Sequence, residues 1–333
     1  MDRPVARPDC GPDQGAAIAF WLCGLVRRSG RSAPCPGSRK QARQVGQRVT
    51  FDAVPTSRLR RRGISGVTLL ILVIGGVALY FAFQRVAPLI KGSGCEARGG
   101  GVPMSLGTGQ AGIASTIAGV AQRDALPSRA VTVAYAAALQ ESKLANLKYG
   151  DRDSVGVFQQ RPSEGWGKRS QLEDPVYATS KFFGALTKVP DYEHLPIYQA
   201  AQAVQHSADG EAYKQYQPMA TKMARAFTGQ RPHAVWCWYP NKIGKKARVH
   251  AASAELAKTF GPLGTRVRAD PEMIVHVGSR AEGWAVATWL VAHAEQYRIA
   301  DVRYDGYQWT AANGARGWSR ALFPARPKSV ELG

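Results

Sequence analysis

The chain changes its hydrophobic pattern three times. Residues 1–63 show little apolar periodicity and are rich in Arg, Pro, Gly, Ser and Gln, which predicts a disordered basic tail. Ile64 to Phe83 (ISGVTLLILVIGGVALYFAF) then runs without a charge. A helix of that length rises about 30 Å, the thickness of a bilayer's hydrocarbon core, so 64–84 is expected to be a transmembrane anchor. Tyr80, Phe81 and Phe83 would sit at one interface. Arg58, Arg60, Arg61 and Arg62 precede the run, which predicts a cytoplasmic N-terminus and an extracellular C-terminal bulk. The glycines Gly92, Gly94, Gly99, Gly100 and Gly101 mark residues 85–108 as a flexible linker.

From 109 the period becomes helical. Helices are expected over Ala111 to Asp124, from Pro127 or Ser128 through Leu144, after Asp174 as N-cap with Pro175 behind it, over Pro196 to His206, and from near Glu211 to Gly229 with Pro218 as a possible break. Beyond Arg231, Met273 to Val277 reads as a strand, Ala281 to Tyr297 as an amphipathic helix and Asp301 to Trp309 as a second strand. These point to a boundary near Cys237 and a small α/β module over 236–333, loosely packed between Pro240 and Pro271.

Composition sharpens this picture in two ways. The net charge of +20 suits an anionic partner such as a cell wall, a membrane surface or nucleic acid. Cys95 and Cys237 flank the helical region on the expected outer side of the anchor, where a disulfide between them would tie its ends together. Cys10, Cys23 and Cys35 lie on the other side. The chain carries no nucleotide-binding loop, metal-ligand spacing or Ser/His/Asp set, so no cofactor and no metal is expected. It also lacks a nucleic-acid-reading motif, so nucleic acid is not an expected partner.

The chemistry concentrates in Glu141 to Trp166, ESKLANLKYGDRDSVGVFQQRPSEGW. Glu141 ends a helix and shares a face with Ala134, Ala137 and Ala138. A face so small and apolar packs tightly and draws the carboxyl toward an apolar place, where the protonated form needed by a general acid is favoured. Asp151 and Asp153 are candidates for a second carboxylate that orients water, or alternatively for turn capping. Gly156 offers close backbone approach to a ligand, Gln159 a donor and an acceptor for sugar hydroxyls, and Trp166 a stacking face for a pyranose.

Glu141-Ser142 at a helix end, followed by a polar loop and Gly156-Val157-Phe158-Gln159-Gln160, resembles the lysozyme-like lytic transglycosylase superfamily. The stretch GDRDSVGVFQQRPSEGWG with DPVYAT behind it is most similar to the family's actinobacterial membrane-anchored branch. The resemblance spans roughly residues 109–230. It implies that Glu141 is the catalytic acid/base, that Ser142, Gly156, Phe158, Gln159 and Trp166 line a glycan cleft, and that peptidoglycan strands are the partner. The later helix, Ala200 to Gln205, lacks the family's usual Tyr-Asn pair. Gly283-Trp284 through His293-Ala294, with Val302 to Trp309, resembles a small module at the C-termini of some actinobacterial cell-wall proteins. The expected protein is therefore a mainly α lysozyme-like domain (109–235) after one transmembrane helix, with a small C-terminal α/β module. It would be a membrane-anchored muramidase or lytic transglycosylase; the alternatives are a wall binder of the same fold without turnover and, on charge alone, an anchored nucleic-acid-binding component.

Overall fold

The computed structural model describes residues 70–80, 92–206, 211–240, 243, 246–268 and 272–333. A helix, α1, covers residues 70–80 with its side chains exposed. It is followed by strands β1 (Gly94–Ala97) and β2 (Met104–Leu106), and by helices α2 (Thr108–Arg123) and α3 (Ser128–Ser142). Then come α4 (Arg169–Leu172), α5 (Pro175–Leu186), α6 (Ile197–Gln205) and α7 (Gln217–Phe227). After strand β3 (Val235–Trp238) the chain forms α8 (Val249–Phe260), β4 (Gly264–Val267), β5 (Met273–His276), α9 (Arg280–Ala292) and α10 (Ala294–Tyr297). It closes with β6 (Asp301–Tyr304), β7 (Tyr307–Thr310), β8 (Ser319–Arg320) and β9 (Ser329–Leu332).

Several boundaries follow from local chemistry. The Asp174 side chain accepts a hydrogen bond from the Val176 N–H at 3.0 Å and caps α5, with Pro175 in its first turn. Pro218 begins α7 instead of breaking it, because a first-turn proline forfeits no intrahelical hydrogen bond. The expected single strand over Asp301 to Trp309 is a hairpin. Asp305 and Gly306 both have positive φ (52° and 78°), the two-residue turn that an Asp-Gly pair favours.

The expected architecture needs three corrections. First, among the described residues no helix is long and apolar enough to cross a membrane. Of the anchor expected over 64–84, helix α1 covers 70–80; the rest lies outside the described residues, as does the tail 1–63. A helix over 70–80 rises only about 16 Å, roughly half a hydrocarbon core.

Second, the chain is not mainly α with a small appended module. Two antiparallel sheets are present, one three-stranded in the order β2-β1-β3 and one six-stranded in the order β4-β5-β9-β6-β7-β8. The stretch expected to be loose contains α8 and β4. Helix α2 is buried continuously from Ala111 to Ala121, with α3, α5 and α7 against it from the first half and α8 and α9 from the second. Residues 64–333 accordingly form one compact unit.

Third, the expected linker is partly sheet. β1 pairs antiparallel with β2 and β3, setting Cys95 opposite Cys237, and the two are disulfide-bonded. Two of the glycines there, Gly94 and Gly99, serve close approach. A Cβ on Gly99 would stand 1.7 Å from the Lys222 carbonyl oxygen of α7, a position no side chain can take.

Candidate active site

Helix α3 is the inner helix of the first half. Every residue from Ala130 to Leu139 is buried, and it packs on α7, α6, α2 and α5. Ala134, Ala136, Ala137 and Ala138 are fully buried and let those neighbours approach closely. Glu141 is the point where this helix reaches the surface, and it is half-buried. The hydroxyl of Tyr213, itself fully buried, donates to Glu141 Oε1 at 2.7 Å. Glu141 Oε2 makes no hydrogen bond among the described residues. One oxygen is therefore held by Tyr213, and the other has no hydrogen-bond partner among the described residues.

The chain leaves α3 under strain. Lys143 and Leu144 are consecutive left-handed residues (φ 56° and 59°), and Arg152 and Gln159 follow at 55° and 49°. Such residues cost about 1 kcal/mol or more each and persist where the surroundings over-determine them, a feature that clusters at functional sites. Several contacts do the holding. Ser142 Oγ donates to the Val157 carbonyl at 2.7 Å and accepts from the Ala145 N–H at 3.2 Å. Gln110 Nε2 donates to the Lys143 carbonyl at 2.8 Å. Lys143 reaches the Tyr216 hydroxyl.

Most residues expected to touch substrate serve the loop instead. Ser142 is a buried peg between α3 and the 155–160 turn. Gly156 has φ 80°, and a Cβ there would meet the Leu172 carbonyl at 2.3 Å, so glycine is required for the close approach of the end of α4. Phe158 is fully buried and stacks on Phe182 of α5 with ring centroids 4.5 Å apart. Its carbonyl accepts from Gln205 Nε2 at 2.8 Å, which ties α6 to the same loop. Gln159 donates to the Gly156 carbonyl at 3.1 Å and packs across Gly150.

The two aspartates separate. Asp153 Oδ2 accepts from the Ser163 N–H at 2.8 Å, and Oδ1 accepts from Ser163 Oγ and Arg161 Nε at 2.9 Å each. These bonds, the Ser163 amide foremost, lower its pKa to about 2. Its lone pairs are engaged in closing the loop. Asp151 stands on the turn with an 89% exposed side chain, 3.9 Å from Arg152.

Trp166 lines a cleft of about 820 Å³ together with Tyr177, Lys181, Lys188, Val204 and His206. Glu141 is not part of its lining. The two places share their supports, since the 157–166 segment and the end of α6 contribute to both. Lys181 lies 5.4 Å from the Tyr177 ring centroid, and neither Lys181 nor Lys188 makes an ion pair among the described residues. The cleft is thus aromatic with a positive rim.

Tyr213 is the one partner of Glu141 that sequence reasoning missed. It lies just past the Ala200 to Gln205 stretch in which a tyrosine was sought, and residues 207–210 between them are outside the described set. The tyrosines Tyr213 and Tyr216 in the polar segment Glu211 to Tyr216 were the available signal. Among the described residues no group of His, Cys, Asp or Glu could hold a metal ion. No protein-family model matches the chain, and no curated protein sequence matches it.

Proposed function

We propose that this protein cleaves the MurNAc–GlcNAc bond of peptidoglycan with Glu141 as its single acid/base. The observation that carries this reading is the half-buried Glu141 carboxyl at the surfacing end of a buried helix, with one oxygen held by the buried Tyr213 hydroxyl. Protonated Glu141 gives its proton to the glycosidic oxygen as the C1–O bond breaks. The MurNAc C6 hydroxyl then attacks C1, and its proton returns to the Glu141 carboxylate, leaving a 1,6-anhydro ring.

The state of the aspartates favours this route over hydrolysis. A water-activating second carboxylate needs free lone pairs facing the sugar. Asp153 accepts three hydrogen bonds from Arg161 and Ser163, which leaves about one of its four acceptor sites, and Asp151 is solvated on a turn. The cleft beside Trp166 suits the strand, offering aromatic faces to sugars and Lys181 and Lys188 to carboxylates of the wall. The Cys95–Cys237 disulfide supports a place of action outside the cytoplasm, where peptidoglycan lies.

Glu141→Gln keeps the shape and the acceptor for Tyr213 and removes the acid. The expected result is at least a 100-fold loss of soluble fragments from purified sacculi, with wild-type products ending in anhydro-MurNAc. Undiminished release by Glu141→Gln refutes the role of Glu141. Products with reducing ends refute the ring-closing route while leaving Glu141 as the acid.

A further inference from the structure

A second pocket, of about 210 Å³, lies where the end of β1 meets the segment leading into β3. It is lined by Arg98, Arg231, Pro232, His233, Ala234 and Trp236. All its ionisable lining is basic. Arg98 lies over the Trp236 ring, 5.4 Å from the centroid, and among the described residues neither the Arg98 nor the Arg231 guanidinium makes an ion pair or hydrogen bond.

His233 completes the lining on a left-handed backbone (φ 42°), its ring 4.6 Å from that of Tyr307 and 5.6 Å from that of Trp284. Desolvation beside these rings lowers its pKa, and the ring also bonds its own backbone. The charges acting on it are Arg280, Asp305 and Arg320, and the single carboxylate among them is already bound to Arg280 at 2.7 Å. The frame is rigid, because Glu96 pairs with Trp236 and Ala97 with Val235 across β1 and β3, beside the disulfide.

Two unpaired guanidiniums from separate segments suit one particular anion. A carboxylate has two oxygens and one charge and satisfies a single fork. A phosphate monoester has three free oxygens and up to two charges, and so can occupy both forks and accept from a third donor. The volume admits such a group with a small carrier and not a passing glycan strand. We propose that this pocket binds the phosphate group of a small phosphate ester, with Arg98 and Arg231 sharing its oxygens and His233 lining its side. This site is independent of the Glu141 reaction.

The test follows the Trp236 indole N–H by NMR in the full chain during titration with inorganic phosphate, glycerol 3-phosphate and acetate at constant ionic strength. Phosphate and glycerol 3-phosphate should shift it saturably, with acetate at least tenfold weaker. Tighter binding of the ester identifies an esterified ligand, and equal or tighter binding of inorganic phosphate identifies the free ion. Arg98→Gln and Arg231→Gln should each weaken phosphate about tenfold or more without moving the unfolding midpoint, since one charge-assisted contact is worth that much. Arg98→Lys, which keeps the charge but loses the fork, should fall between. Acetate binding as tight as phosphate, no saturable shift, or Gln variants within twofold of wild type would each overturn the proposal.

Discussion

Replacing both disulfide cysteines, Cys95→Ala with Cys237→Ala, should cost most of the stability this fold can spare. The bonded residues are 142 apart in sequence, and both are fully buried. Linking positions that far apart removes about 17 cal/mol/K from the unfolded chain, or about 5 kcal/mol at 25 °C. Residual structure in the unfolded chain lowers the realised figure, and about 3–5 kcal/mol is expected. Domains are typically stable by only about 5–15 kcal/mol, so the variant should be marginal. For a unit of this size the loss corresponds to a melting point lower by roughly 6–20 °C. Urea unfolding followed by near-ultraviolet circular dichroism measures it, with the oxidised wild type and the double variant side by side. An unchanged urea midpoint refutes the reasoning. Alkylation of either cysteine in unreduced protein refutes the bridge itself.

Three further outcomes follow from the geometry. Tyr213→Phe keeps the buried ring and removes the donor to Glu141, so sacculus digestion should fall about tenfold with stability nearly unchanged; activity within twofold of wild type would show that Tyr213 does not position the acid. Gly156→Ala places a Cβ against the Leu172 carbonyl at a φ of 80° and should destabilise the protein by about 2–4 kcal/mol, read from denaturant midpoints. His293 packs between α9 and α2 with its ring stacked on Trp289, and burial lowers its pKa to about 4. The unfolded chain therefore takes up this proton first, so stability holds above about pH 6.5 and is lost as pH falls toward 4; the full shift is worth about 3 kcal/mol, less for the water at the ring's accessible edge. His293→Phe should flatten that slope, and an unchanged stability–pH curve would discard the assignment.

What could be read from the sequence was decided by how local each cause is. The start of α5 was legible because Asp174 caps a helix whose proline is its neighbour. The Asp305-Gly306 turn is equally local: it is an Asp-Gly signal inside the stretch expected to be one strand, and it separates β6 from β7. Helix α8 left its mark too, since Val249, Ala252, Leu256 and Phe260 are buried at helical spacing within the stretch read as loose. β1 was hidden for a different reason. Gly94 in it is dictated by the Trp238 ring and Gly99 just after it by the Lys222 backbone, both more than a hundred residues away, and glycine demanded by close approach looks the same as glycine in a tether.

The candidate site divides along the same line. The position of Glu141 at a helix end was legible from the alanines before it. The roles given to Ser142, Gly156 and Phe158 were not, because a serine peg, a turn glycine and a core phenylalanine are the same letters as a sugar contact. Only their partners, Val157, Leu172 and Phe182, tell them apart. Tyr213 escaped because nothing near Glu141 in sequence announces it.

Helix α2 has a consequence for anyone dissecting this molecule. Since it is covered on one side by the helices that carry Glu141 and on the other by α8 and α9, neither half owns it. A fragment ending at 235 would lay bare an apolar stripe from Ala111 to Ala121 and discard the cysteine that closes the chain's longest loop. The two halves are therefore one inheritable object. A gene fusion or truncation that treats the C-terminal residues as an accessory would hand on an insoluble piece rather than a smaller enzyme.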